Sequence, residues 1–121
     1  MNDTFKPAPL KPLITLGQLE CIDVRVGTIL SVEDVSGSDK LVRLVVDFGD
    51  HKRNILAGLK QERENPDQLT GRQALFVLNL PPKKMLGELS EGMLFDIGFA
   101  DGLLPALAVP EVSVPNGARV G

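Results

Sequence analysis

Apolar residues recur along the chain in short runs broken by glycine, proline and charge. The first run, IDVRVGTILSVE at 22–33, puts Ile22, Val24, Val26, Thr28, Leu30 and Val32 on one parity, the alternation of a half-buried strand. Gly27 in its middle predicts a bulge or a sharp coil. SGSDK at 36–40 reads as a turn, and LVRLVVDF at 41–48 as a second strand that GDHK turns back into a third, RNILA at 53–57. The stretch 59–69 is polar and contains Pro66, which predicts a short helix or an irregular crossover. A fourth strand is predicted over 72–80, a fifth over 93–99 and a short sixth over 104–109, before a turn at Pro115, Asn116 and Gly117. Thr15 and Gln18 have capping-box spacing for a helix over 16–21, which Gly17 weakens. Short strands with one crossover near the middle predict an all-β fold, a small five-stranded barrel with short helices.

Pro7, Pro9 and Pro12 lie in the first twelve residues, where missing donors and fixed backbone angles favour extended chain. No linker divides the rest of the chain. The expected organisation is an extended N-terminal arm over 1–13 and one domain over 14–121.

Composition narrows the chemistry. Hydrophobic residues make up 43% of the 121, enough for a core, and no apolar stretch approaches the roughly 20 residues that span a bilayer. The opening MNDTFKPAPLKPLI has no apolar signal-peptide centre, which predicts a cytoplasmic protein without a membrane partner. Cys21 and His51 are the only residues of their types, too few for a Cys/His zinc site and consistent with a reducing compartment. Cys21, in LECIDV, reads as a small buried side chain, and His51, in GDHKRN, as a turn residue facing water. Dinucleotide, P-loop, nucleophile-elbow and calcium-loop motifs are missing, and the acidic pairs Glu33–Asp34 and Asp47/Asp50 fall at turns. The sequence therefore predicts no catalytic residue, no metal and no cofactor: a non-enzyme.

The net charge of −3 excludes a generally basic nucleic-acid coat, and the lack of Trp and Tyr weakens a base-stacking platform. RNA binding would need a local basic patch. Lys52 and Arg53 share a hairpin, Lys83 and Lys84 share a proline-rich stretch, and Arg25 and Arg43 sit in strands at positions that can face outward. From composition alone a scattered solubilising surface is the stronger reading.

Ordered motifs reverse that balance. DVRVGTI at 23–29, SDKL at 38–41, VDFG at 46–49, AGL at 57–59, LTGR at 69–72, NLPPKKMLGELSEGM at 79–93 and VPNGARVG at the end follow one another with the spacing of a known family. From about Ile14 to Gly121 the chain resembles the OB-fold tRNA-binding domain family. That family includes the C-terminal appendix of methionyl-tRNA synthetases, free-standing tRNA-binding proteins and CsaA-type export chaperones. The match departs from the family pattern at Pro81, where lysine is usual, and at Leu86, where arginine is usual. Ala57 replaces a common serine, and SGSDKL lacks the His-Pro often found ahead of Asp-Lys-Leu. The double proline and the VPNG ending look like the CsaA branch.

The resemblance implies a non-catalytic module that recognises folded tRNA by shape and phosphate position. It implies direct contacts by Lys83, Lys84 and Ser90, with Asn79 fixing the loop or touching RNA. Lys52, Arg53 and Lys40 would flank them, and Arg25 is divided between RNA and an ion pair with Asp23 or Asp47. Gly87 and Gly92 would serve the backbone, and Met93 the core. The alternative it implies is a chaperone homodimer that holds unfolded polypeptide against Met85, Leu86 and Leu89. A third reading is a dimerisation or docking module for an aminoacyl-tRNA synthetase. The two missing cations predict weaker tRNA binding than basic relatives show.

Overall fold

A computed structural model describes residues 4–121. Its elements in chain order are α1 (Leu16–Leu19), β1 (Val24–Asp34), β2 (Val42–Asp47), β3 (Lys52–Ala57), a 3-10 turn (Pro66–Leu69), β4 (Gln73–Val77), β5 (Lys83–Met85), β6 (Glu88–Ser90), β7 (Met93–Leu94), β8 (Asp96–Ile97), a second 3-10 turn (Phe99–Asp101) and β9 (Ala106–Leu107). Five strands form one antiparallel sheet in the order β3-β2-β1-β4-β7, and β5–β6 and β8–β9 are separate two-stranded ladders. The all-β class stands as read from the sequence, but the expected fifth strand over 93–99 is broken into β7 and β8, and β5 and β6 are additional. The capping box at Thr15 and Gln18 is present in both directions, but the helix ends at Leu19. Among the described residues no helix is long and apolar enough to cross a membrane.

The eleven-residue β1 pairs with β4 through Val24–Thr28 and with β2 through Thr28–Asp34. One long strand thus serves two neighbours, and it must coil to do so. The register slips between Ile29 and Ser31, leaving Leu30 as an extra residue. This bulge corrects the predicted parity. Gly27, opposite the core residue Ala74, and Ile29 share the inner parity, with Arg25 at its partly exposed end opposite Phe76; beyond Leu30 the inner position passes to Val32. Leu30 itself is exposed. Val24 and Val26 are buried on the opposite face, and residues 117–120 pair along the β1 edge away from β4, through Val26 N to Ala118 O (3.0 Å) and Val120 N to Val24 O (2.9 Å).

The main core joins Ile29, Leu44, Val46, Phe48, Ile55, Leu69, Phe76 and Leu94. Full burial of one such side chain contributes about 1.5–3 kcal/mol. Gly27 marks a packing constraint and not the bulge. A Cβ there would lie 2.6 Å from Val46 Cγ1 and 2.7 Å from the Phe48 ring, so the absent side chain is what lets β2 cross β1 closely.

The VPNG turn is a lock for the chain's end. Asn116 Oδ1 accepts from Thr28 Oγ1 (2.7 Å) and Gln73 Nε2 (2.9 Å), while Gln73 also exchanges hydrogen bonds with the Val114 backbone. Gly117, at φ +90, has Phe48 O where a Cβ would stand.

Gly27→Ala overpacks the crossing of β1 and β2 and should lower unfolding stability by about 1–3 kcal/mol, read from urea denaturation.

Candidate nucleic-acid interface

The stretch 79–93 holds more structure than a loop. It leaves the barrel after Leu78, forms the β5–β6 hairpin with Lys83 opposite Ser90, Lys84 opposite Leu89 and Met85 opposite Glu88, and returns at Gly92. The turn is Leu86–Gly87, with φ of +49 and +78. Two successive positive φ values match the two-residue turns that suit strand twist. A leucine in the left-handed region costs roughly 1–2 kcal/mol, so the rest of the hairpin must hold that turn in place.

The barrel has two sheet edges to reconcile, β3 and β7. The returning arm of the hairpin covers the β3 edge. Leu56 N donates to Ser90 Oγ (3.0 Å), and Ser90 Oγ donates onward to Gly92 O (3.1 Å). Glu91 N donates to Asn54 O (2.9 Å), and Asn54 N donates to Glu91 Oε1 (3.1 Å). Side chains here substitute for a backbone ladder. Arg53 completes the seam from the inside: its Nη1 donates to Leu78 O and Glu91 O, both at 3.0 Å. Leu78 and Glu91 flank the excursion, so one guanidinium clamps both its ends. Arg53 Nε donates to His51 Nε2 (3.0 Å), which fixes that nitrogen as the acceptor and leaves Nδ1–H to donate to Asp50 Oδ1 (2.6 Å). The contact holds the Asp50 carboxyl below its ordinary range. His51 also stacks on Phe48 with ring centroids 5.7 Å apart.

The expected RNA contacts thus divide into two groups. Lys83, Lys84, Lys52 and Lys40 are exposed, and among the described residues none makes an ion pair. Ser90, Asn79, Arg53 and Arg25 each make hydrogen bonds within the fold. Ser90, expected as a direct contact, is 4% exposed at the seam, with its hydroxyl both accepting and donating within the fold. Asn79 accepts from Asp23 N (2.8 Å) and donates to Cys21 O (2.7 Å), which fixes the start of the excursion against the entry to β1. Arg25 forms a two-point ion pair with Asp23 (2.7 and 3.2 Å), the first of its two named partners, and this holds the guanidinium more firmly protonated. On the hairpin, Leu86 and Leu89 are exposed, whereas Met85 is half-buried in a satellite cluster with Val35, Leu41 and Leu56.

Two further readings are corrected. Cys21 is exposed, its thiol donating to Gly17 O (3.4 Å), because it falls after the short helix and ahead of the sheet. Met93 is exposed and its neighbour Leu94 fills the core, because β7 presents alternate faces. What the sequence missed was the role of Glu88 and Glu91. The only available signal was their place in a stretch otherwise short of acid.

The geometry defines a β-barrel carrying a lysine-bearing hairpin on its seam. Residues 24–119 match the family model described as "Putative tRNA binding domain". The chain belongs to this tRNA-binding domain family. It is 42% identical over 110 residues to the methionine–tRNA ligase of Methanothrix thermoacetophila, covering 91% of this chain and 16% of the ligase. It is 37% identical over 121 residues to that of Clostridium acetobutylicum, covering 99% of this chain and 18% of the ligase. The chain therefore spans less than a fifth of these ligases. Among solved structures, the MetRS related protein of Pyrococcus horikoshii superposes with a TM-score of 0.84 at 34% identity, over 92% of this chain and all of that one. Chaperone CsaA of Bacillus anthracis superposes with a TM-score of 0.79 at 28% identity, over 91% of this chain and all of that one.

Ser90→Ala leaves the Leu56 amide without its acceptor at the seam. Stability should fall by about 1–3 kcal/mol, and the Leu56 amide should exchange with solvent faster than its β3 neighbours.

Proposed function

We propose that the chain is a non-catalytic tRNA-binding module acting in the cytoplasm. Family membership sets the ligand class, and the observation that carries the local reading is the separation of its cations. The paired arginines, Arg25 and Arg43, build the barrel, whereas Lys83 and Lys84 stand exposed on a hairpin whose base is clamped. A lysine there offers a mobile point charge to a phosphate with little ordering cost, because the strand that carries it is already fixed. Lys40 and Lys52 supply flanking charge. Recognition is by the shape and phosphate spacing of folded tRNA, which suits an acidic protein without a stacking platform. The unit is the domain 14–121 preceded by the arm 1–13.

Binding of bulk folded tRNA across a salt series tests this reading. Affinity should fall steeply with salt, and Lys83→Ala with Lys84→Ala should weaken binding and reduce the slope by about two. Absence of tRNA binding at low salt overturns the function, and a double variant that matches the parent overturns the site.

One observation favours a second reading, a chaperone for unfolded polypeptide. The outward face of the hairpin sets Lys84 opposite Leu89, with Leu86 at the tip, and both leucines are exposed. A structural neighbour is named a chaperone. An unfolded polypeptide titrated beside tRNA separates the two, since peptide binding without RNA binding would select the chaperone.

The same module is proposed to be a homodimer, with an aminoacyl-tRNA synthetase as a further partner. Leu10 and Leu13 are 99% and 100% exposed in the segment before α1, and Phe99 and Leu104 are 68% and 77% exposed near the other end of the chain. This exposure supports an association surface, and a two-fold dimer would bury both segments. Light scattering should give twice the 13.0 kDa chain mass. Leu13→Asp with Leu104→Asp should give the monomer.

A further inference from the structure

Arg43 stands on the outer face of β2, paired across the sheet with Glu33 on β1 and Leu56 on β3. Its Nε donates to Glu33 Oε1 at 2.8 Å and its Nη1 to Glu88 Oε1 at 2.5 Å. Glu88 opens β6, immediately after the Leu86–Gly87 turn. One arginine thereby ties the far end of the hairpin to the outer wall of the barrel. Arg43 is held more firmly protonated by these bonds, Glu88 first and Glu33 second.

The hairpin needs such a tie. Its strands are three residues each, and an isolated two-stranded hairpin is marginal in water at best. Its turn places a leucine in a disfavoured conformation. Ser90 secures the base, and at the turn end Met85 packs on the satellite cluster while Glu88, opposite it in register, supplies the polar tie to the barrel wall.

We propose that the Arg43–Glu88 ion pair is a latch that holds the β5–β6 hairpin in its tRNA-binding pose, making both residues positioning residues for Lys83 and Lys84. The proposal rests on the tRNA-binding reading above. Apparent affinity scales with the fraction of molecules in the competent pose, so unlatching weakens binding although no ligand contact is lost.

Glu88 makes the idea testable by sign. Its carboxylate shares a short hairpin with two lysines, so if charge alone mattered, removing it would tighten binding to a polyanion. The latch requires the opposite. Glu88→Ala and Arg43→Met are compared with the parent for binding of bulk folded tRNA across a salt series, and the RNA-free proteins by amide hydrogen exchange. Glu88→Ala should bind roughly three- to tenfold more weakly with its salt slope unchanged. Amides over 84–89 should exchange faster in both variants while the urea midpoint moves little. A Glu88→Ala protein that binds as tightly as the parent or tighter overturns the latch, as does unaltered exchange over 84–89 or a rise spread over the whole barrel. If the parent itself binds no tRNA, the functional reading fails, and the exchange measurement still decides whether the latch exists.

Discussion

The fold depends on closing one edge. A five-stranded antiparallel sheet curled by a long, bulged β1 brings β3 and β7 near each other without giving them a shared ladder. The Leu56 amide on the β3 edge would otherwise stand unpaired against a packed core, at a cost of about 1–3 kcal/mol, with the exposed Asn54 beside it on the same edge. Ser90 and Glu91 meet this need with an acceptor hydroxyl, a carboxylate and one backbone amide. The closure therefore belongs to the same stretch that carries the lysines. Barrel stability and hairpin placement are set by one group of hydrogen bonds.

The seam also explains how the cations are divided. A guanidinium has a rigid fork of donors and reaches two acceptors at once, which suits it to join backbone segments or carboxylates distant in sequence. Arg53 bridges Leu78 and Glu91, Arg43 bridges Glu33 and Glu88, and Arg25 takes both oxygens of Asp23. Lys60 does similar work, pairing with Asp34 and donating to Val35 O and Ser38 O, whereas Lys40, Lys52, Lys83 and Lys84 are exposed. On an acidic chain the hairpin thus carries two adjacent exposed lysines, Lys83 and Lys84, which make no ion pair among the described residues, without a basic composition overall.

The strands were legible because turn residues and β-branched runs report local structure. The parity of β1 was not, because the slip at Leu30 depends on β1 changing partner from β4 to β2, a fact of tertiary geometry. Gly27 was visible as an anomaly, but its cause lay in Phe48 and Val46, about twenty residues away. The hairpin within 79–93 was hidden because three-residue strands carry too little alternation to register. Lys83 and Lys84 could be picked out as cations, and they stand exposed. Ser90, Asn79 and Arg53 could be picked out by motif, yet their partners, Leu56, Cys21, Asp23 and Leu78, lie far off in the chain. Those partners give the three side chains their place in the fold, and no local pattern displays them.

The clamp at the base of the excursion has a consequence for how the tip can vary. Leu78 and Glu91 are held by Arg53, and Asn79 by the backbone at Cys21 and Asp23. Whatever stands between Leu80 and Leu89 is therefore displayed from a fixed frame. Pro81 and Leu86 occupy positions where the family pattern favours cations, and both are exposed beyond the frame. An apolar residue at these two positions adds apolar surface beside the lysines, and both side chains are exposed. Leu86 adds turn strain to that change, and strain at an exposed tip persists only while the neighbouring hairpin is held down. The frame and the Arg43–Glu88 tie are thus what allow the tip to carry a residue chosen for its surface and not for its backbone preference.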